Sequence, residues 1–293
     1  MNICIAGKNN IAIDVCRCVV EHYPQANIYA IINRNEAGVD SWQRSYLKYI
    51  QSEPRVKLAT LEEMYEIEDL VFISTEYDRI IKLCLFKTKR LYNIHFSLLP
   101  AYKGVYMSAW PILNGEEYSG VTLHEIESGI DTGNIIAQKR FKLSSKETAY
   151  SLYLKFIKYG TSLVIKNLDR LINNTYKACP QSSSGSTYYS KKSIDYSNLT
   201  VDLNATATQI DRQIRAFYFP FYQVANIYGV SVERTKITTE KSRQKPGTIL
   251  YENDRKLVVT SVDYNIILYK QMKEKDHNAV CERSNLTGGG VIR

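Results

Sequence analysis

The chain has 293 residues, 44% of them hydrophobic and 23% charged, with a formal net charge of +8. This is the composition of a globular protein long enough to bury a core and to divide into two unequal units. No run of roughly 18 apolar residues offers a membrane span. The start "MNICIAG" has no basic segment leading into a longer apolar one, so no secretory signal is expected and the location expected is cytoplasmic. Six cysteines are scattered without a CxxC pair, which fits reduced thiols rather than a disulfide framework or zinc site. The basic balance suits an anionic partner, or a merely solvated basic surface. The 23 tyrosines supply flat faces with polar tips, useful against sugars or bases and equally at home half-buried.

In chain order, "MNICIAG" predicts a buried first strand ending at Gly7. "NNIAIDVCRCVVEHY" follows with the helical spacing of Ile11, Val15 and Val19. "ANIYAIINR" is a second strand, and "VDSWQRSYLKYIQSE" a second helix capped by Asp40 or Ser41. "VKLAT" and "DLVFISTEY" are further strands, "RIIKLCLF" a short helix, and "KRLYNIHFSLLP" a fifth strand. Strands alternating with helices predict an α/β fold, a Rossmann-like doubly wound and mostly parallel sheet. Next come a short helix in "MSAWPILNGE", entered by Ser108, and two strands flanking "GIDTG". A long helix capped by Ser145 follows. "CPQSSSGSTYYSKK" reads as loop. The expected division is residues 1–185 and a smaller α+β or β-rich unit, 186–293, with one helix in "NATATQIDRQIRAFY" and a frayed end "SNLTGGGVIR".

Three stretches carry candidate chemistry. "AGKNN" joins a strand to a helix, but Gly7 stands alone without GxGxxG, so a tight turn is the reading rather than dinucleotide binding. In "YNIHFSLLP", Asn93 and His95 share one strand face and Ile94 and Phe96 the other. The polar pair faces a cleft beyond a strand's carboxyl end, where open sheets bind ligands, or is a satisfied polar pair inside. An imidazole suits proton transfer, and a primary amide can donate to a developing oxyanion without titrating. Asp131, between two glycines in "GIDTG", either caps backbone amides or orients His95.

Taken together, N-x-H, SLLP and the D-T-G turn resemble the folate-dependent formyltransferase family, strongest over 90 to 137 and running from about 1 to about 222. The resemblance continues weakly in "YYSKKSIDY" and "IRAFYFPFYQVA". It implies the formyltransferase fold, a catalytic set of Asn93, His95 and Asp131, and N10-formyltetrahydrofolate as donor, released as tetrahydrofolate, with no metal. It also implies pterin pairing by backbone groups around Leu83, Cys84 and Leu85, with the turn of Asp131 on the other side.

In "AYKGVYMSAW", Lys103–Gly104 keeps a basic–Gly feature of the methionyl-tRNA enzymes, but the proline that follows it there is absent. The overall look is similar to nucleotide-sugar N-formyltransferases. That implies a dTDP-linked amino-dideoxy sugar as acceptor, dTDP-4-amino-4,6-dideoxyglucose first and the 3-amino isomers next, in O-antigen and lipopolysaccharide synthesis. Lys103 is counted with the substrate contacts. Lys191 and Lys192 meet a pyrophosphate or are a solvated pair. Phe221 or Tyr222, beside Pro220, stacks on a pyrimidine or belongs to the core. A homodimer is expected, with the C-terminal unit as its candidate interface, and no nucleic-acid or membrane partner. The alternatives are an enzyme like methionyl-tRNA formyltransferase, or a non-catalytic nucleotide- or RNA-binding module of the same fold.

Overall fold

The computed structural model describes residues 1–271, so the end "SNLTGGGVIR" lies outside the described residues. Strand β1 (Asn2–Gly7) and strand β4 (Leu70–Thr75) are almost wholly buried runs, as the centre of a sheet covered on both faces requires. Between them come helix α1 (Asn9–His22), β2 (Asn27–Ile32), α2 (Tyr46–Ser52), β3 (Val56–Leu58) and α3 (Leu61–Tyr65). A 3-10 turn, Leu83–Leu85, leads to β5 (Leu91–His95). Then follow β6 (Lys103–Gly104), α4 (Trp110–Leu113), β7 (Tyr118–Glu125), β8 (Ile135–Lys142), α5 (Ala149–Ile172) and β9 (Tyr188–Tyr189).

The sheet order is β3-β2-β1-β4-β5-β7-β8. Its first five strands are parallel, and β7 and β8 join antiparallel. Helix α1 buries Ile11, Val15 and Val19, and α5 buries Leu152, Phe156, Val164 and Leu168. Those two helices pack together at Gly160, where a Cβ would come within 3.3 Å of both Ile11 and Ile94. Another layer holds Leu61, Met64, Ile81 and Phe86 against Cys4, Phe72 and Leu91. This is the doubly wound sheet expected.

The C-terminal elements are helix α6 (Ala207–Phe217), β10 (Ala225–Ile227), β11 (Val230–Lys241), β12 (Ile249–Glu252), β13 (Lys256–Val259) and β14 (Tyr264–Lys270). The five strands form an antiparallel sheet in the order β10-β11-β14-β13-β12. By contacts the described residues divide into 1–199 with 215–224, and 200–214 with those from 225 onward. The Ser-rich stretch predicts a boundary at 185; residues 186–199 instead go with the first unit, to which β9 ties them by pairing with β6.

Local differences have local causes. Helix α2 starts at Tyr46 with Ser45 as cap, because Asp40 is spent on the Ser45 N–H and the Lys48 ammonium. "RIIKLCLF" yields only the 3-10 turn: its buried anchors, Ile81 and Phe86, are not at helical spacing. Helix α5 is capped by Thr148, not Ser145, in a reciprocal box with Ser151. Helix α3, unforeseen, opens with a capping box of Thr60 and Glu63 that was present in the sequence as T-L-E-E.

Candidate active site

Alternation along β5 sets Asn93 and His95 on one face. Ile94, 3% exposed, packs the other face onto α5. The antiparallel register of β7 places His124 directly opposite Asn93 and Thr122 opposite His95. The chain beyond β5 is held by Thr122, whose hydroxyl donates to the Ser97 carbonyl (2.6 Å) and accepts from the Leu99 N–H (3.1 Å). The Leu99–Pro100 peptide is cis.

The turn between β7 and β8 brings Asp131 to this pair. Its backbone is left-handed (φ 53°), a conformation aspartate tolerates better than most residues. At Gly133 a Cβ would lie 1.8 Å from the Glu125 carbonyl oxygen, so the turn closes only on glycine. Gln181, from the stretch read as loop, donates from its side-chain amide to the carbonyls of Asp131 (2.8 Å) and Gly133 (2.7 Å). The Asp131 carboxylate reaches toward a backbone amide and toward His95. Its Oδ2 accepts from the Gly104 N–H at 2.9 Å and lies 3.5 Å from His95 Nδ1. Its Oδ1 lies 3.6 Å from His124 Nε2. Glycine at 104 is required in turn, since a Cβ would meet the Tyr189 carbonyl oxygen at 2.1 Å.

His95 is 7% exposed, and its Nε2 lies 2.7 Å from the Tyr102 carbonyl oxygen, so that nitrogen carries a hydrogen. Burial pulls its pKa below the ordinary value, against the opposing pull of the Asp131 carboxylate and the Tyr102 carbonyl; His124 adds to the lowering. Burial pushes Asp131 up, but His95, His124 and the Gly104 N–H outweigh it and hold the carboxyl down at about 2. Nearby, Tyr153 donates to Glu76 at 2.6 Å. Burial raises Glu76, opposed by Lys8 and Tyr153.

These groups open on a cavity of about 830 Å³. It lies beyond the carboxyl ends of β1, β2, β4 and β5, where the strand order reverses. Asn93, His95, His124 and Asp131 line it together with Lys8, Glu76, Tyr153 and Lys191. Ile80, Ile81, Ile126 and Ile130 give it an apolar side.

Other expected residues stand elsewhere. Leu83, Cys84 and Leu85 are not in the cavity wall; the Leu85 N–H donates to the Lys82 carbonyl and the Leu83 carbonyl accepts from the Phe86 N–H, and the wall is made by residues 76–81. Lys192 is exposed and Lys103 half-buried in β6, neither lining the cavity. Phe221 stacks flat on Trp42 (centroids 5.2 Å, planes 3° apart), and Tyr222 accepts from the Trp42 N–H at 3.3 Å. Both remain more than half exposed, outside the cavity wall. His124 and Gln181 are not singled out by the sequence. The first is readable there only as an alternate position of a β-strand, the second not at all. Among the described residues no cluster of three or more His, Cys, Asp or Glu side chains is arranged to hold a metal ion.

A mostly parallel sheet with an amide, an imidazole and a carboxylate meeting at its carboxyl edge, followed by an antiparallel C-terminal sheet, is the formyltransferase architecture. The chain belongs to the formyltransferase family: residues 19–168 match the formyl transferase model, and 193–288 its C-terminal domain model. It is 40% identical to an N-formyltransferase from Helicobacter canadensis solved with folinic acid and dTDP-3-aminofucose. That match covers 92% of this chain and 99% of that one, with a TM-score of 0.83. It is 42% identical to WlaRD, a sugar 3N-formyl transferase solved in the presence of dTDP and 5-N-formyl-THF, over 93% of this chain and 98% of that one, with a TM-score of 0.84. The methionyl-tRNA formyltransferase of Lachnospira eligens is 29% identical over 201 residues. There the match spans 66% of this chain but only 63% of the relative's length.

Proposed function

We propose that this protein moves a formyl group from N10-formyltetrahydrofolate to the primary amine of a dTDP-linked amino-dideoxy sugar. The observation that carries the proposal is the meeting of Asn93, His95 and Asp131 on one cavity, from two separate stretches of chain, strand β5 and the turn between β7 and β8. Within that reading we favour a 3-amino sugar over the 4-amino sugar. The support is the 40% and 42% identity, over nearly whole chains, to proteins described with 3-amino or 3-N chemistry. The product would serve O-antigen or lipopolysaccharide synthesis.

The donor, when bound, supplies an activated formyl carbon. The apolar side of the cavity at Ile80, Ile81, Ile126 and Ile130, beside loop backbone, suits a flat heterocycle with amide edges. Each protein group then has one task. The Asn93 amide donates to the formyl oxygen as negative charge develops there. His95 takes a proton from the attacking amine and hands it to the leaving nitrogen. For Nε2 to take that proton it must leave the Tyr102 carbonyl, which it now meets at 2.7 Å, and the hydrogen of the neutral ring must sit on Nδ1, facing the Asp131 carboxylate. Asp131 orients the ring through Nδ1 and stabilises the imidazolium while it lasts. Lys8 and Lys191 are cavity cations placed to meet a diphosphate.

The test is mass spectrometry of candidate acceptors after incubation with the folate donor. The reading expects a dTDP-3-amino sugar to gain the mass of one CO, faster than its 4-amino isomer and far faster than methionyl-tRNA. Preference for the 4-amino isomer would overturn the regiochemistry, and preference for methionyl-tRNA would overturn the acceptor class. No transfer to any amine would favour the binding-module alternative.

A further inference from the structure

We infer that His124, which no part of the proposed reaction uses, is the positioning residue that decides which way the Asn93 amide points; the inference rests on the formyl-transfer reading. His124 is 2% exposed and sits opposite Asn93 in the β5–β7 ladder. Its Nδ1 lies 2.7 Å from the Glu125 carbonyl oxygen. A carbonyl only accepts, so Nδ1 carries a hydrogen, and in the neutral ring Nε2 is left as a lone pair. That carbonyl lies close against Gly133, where no side chain fits. Asn93 Nδ2 lies 3.1 Å from Nε2. Asp131 Oδ1 stands farther from the same atom, at 3.6 Å, and competes with Asn93 for Nε2 only where that nitrogen carries a hydrogen.

A lone pair can be met only by the N–H end of an amide. His124 therefore fixes the nitrogen of Asn93 toward β7 and its oxygen away. The second hydrogen of that nitrogen stays available to the cavity that Asn93 lines. Turned over, the amide would present its oxygen, a second negative pole, where the proposed reaction develops negative charge. His124 acts through Asn93 and touches no reacting atom.

The experiment compares His124→Phe, which keeps the ring volume and removes the acceptor, with His124→Gln, whose Oε1 can replace Nε2. Both are made in the wild type and in Asn93→Ala. In the wild type, His124→Phe is expected to lower kcat about 10- to 100-fold, less than the about 100- to 1000-fold of losing an oxyanion donor outright. Acceptor KM should stay within about twofold, and His124→Gln should regain most of the rate. On the Asn93→Ala background neither substitution should cost more, because the group being positioned is gone. A His124→Phe enzyme with near-normal kcat, a Gln variant no better than Phe, or equal losses on both backgrounds would each overturn the inference. Nitrogen-15 NMR of the wild type gives a reading independent of turnover. The Nδ1–H tautomer of His124 is expected, and the Nε2–H tautomer would overturn it. An enzyme with that tautomer and no formyl transfer to any acceptor would sink the functional reading alone.

Discussion

The side-chain amide of Gln181 donates to the main-chain carbonyl of Asp131 at 2.8 Å, and so anchors a turn whose central residue has a left-handed backbone. The anchor comes from a segment with little regular structure, and its own Oε1 is buried with no hydrogen-bond partner among the described residues. Replacing Gln181 by Ala removes two bonds at once and leaves two carbonyls unmet. A loss of about 1–3 kcal/mol is expected in urea unfolding. The rate should fall as well, since Asp131 would no longer be held against His95. An unchanged unfolding midpoint and rate would show that the turn holds itself.

Asp131→Asn keeps the shape and removes the charge beside His95 Nδ1. The expected outcome is a fall in kcat of about 100-fold or more, with acceptor KM much less affected. The pH–rate profile should move too. Asp131 opposes the lowering of His95 by burial, so in the Asp131→Asn enzyme the acid limb should shift to still lower pH. A shift to higher pH would contradict the assignment of Asp131 as the partner of His95.

Much of this site was legible. The i, i+2 spacing of Asn93 and His95 placed them on one strand face, and D-T-G marked the turn that brings the carboxylate. Two kinds of information were not in the local pattern. Which strand pairs with β5 is a long-range fact, so His124 read as one more alternate position. The role of Gln181 depends on where an irregular segment passes, and no periodicity encodes that. In "RIIKLCLF" the apolar residues suggest a helix, while burial of Ile81 and Phe86 sets the path.

Acid should destabilise the fold through the same residues. Asp131 is held at about 2 against an ordinary 3.8. As pH falls, the unfolded chain takes this proton first, so the contribution is full above about pH 4 and is lost toward pH 2. At about 1.4 kcal/mol per pH unit that is about 2 kcal/mol. His95, also depressed, adds a loss that begins as pH drops through the ordinary histidine range of about 6.5. Urea midpoints measured from pH 7 downward should fall throughout, and the advantage of wild type over Asp131→Asn should shrink below pH 4. A wild type whose stability rises between pH 7 and pH 5 would contradict the depressed His95.

For Phe221 the sequence leaves stacking on a pyrimidine and a place in the core both open, and one of its faces is covered by Trp42. The proposal survives only through the other face. Phe221→Ala should weaken dTDP binding about 5- to 20-fold by calorimetry, the loss of one aromatic stacking partner, with kcat little changed. Unchanged dTDP affinity would make Phe221 a packing partner of Trp42 and nothing more.

The central claim is that formyl transfer runs through Asn93 and His95. Its most direct test is the rate of tetrahydrofolate release in single turnover with a dTDP-3-amino sugar, in wild type, Asn93→Ala and His95→Ala. Wild type should release tetrahydrofolate only with the acceptor present, and each variant, still folded by circular dichroism, should be slower by about 100-fold or more. Near-wild-type release in both variants would contradict the account.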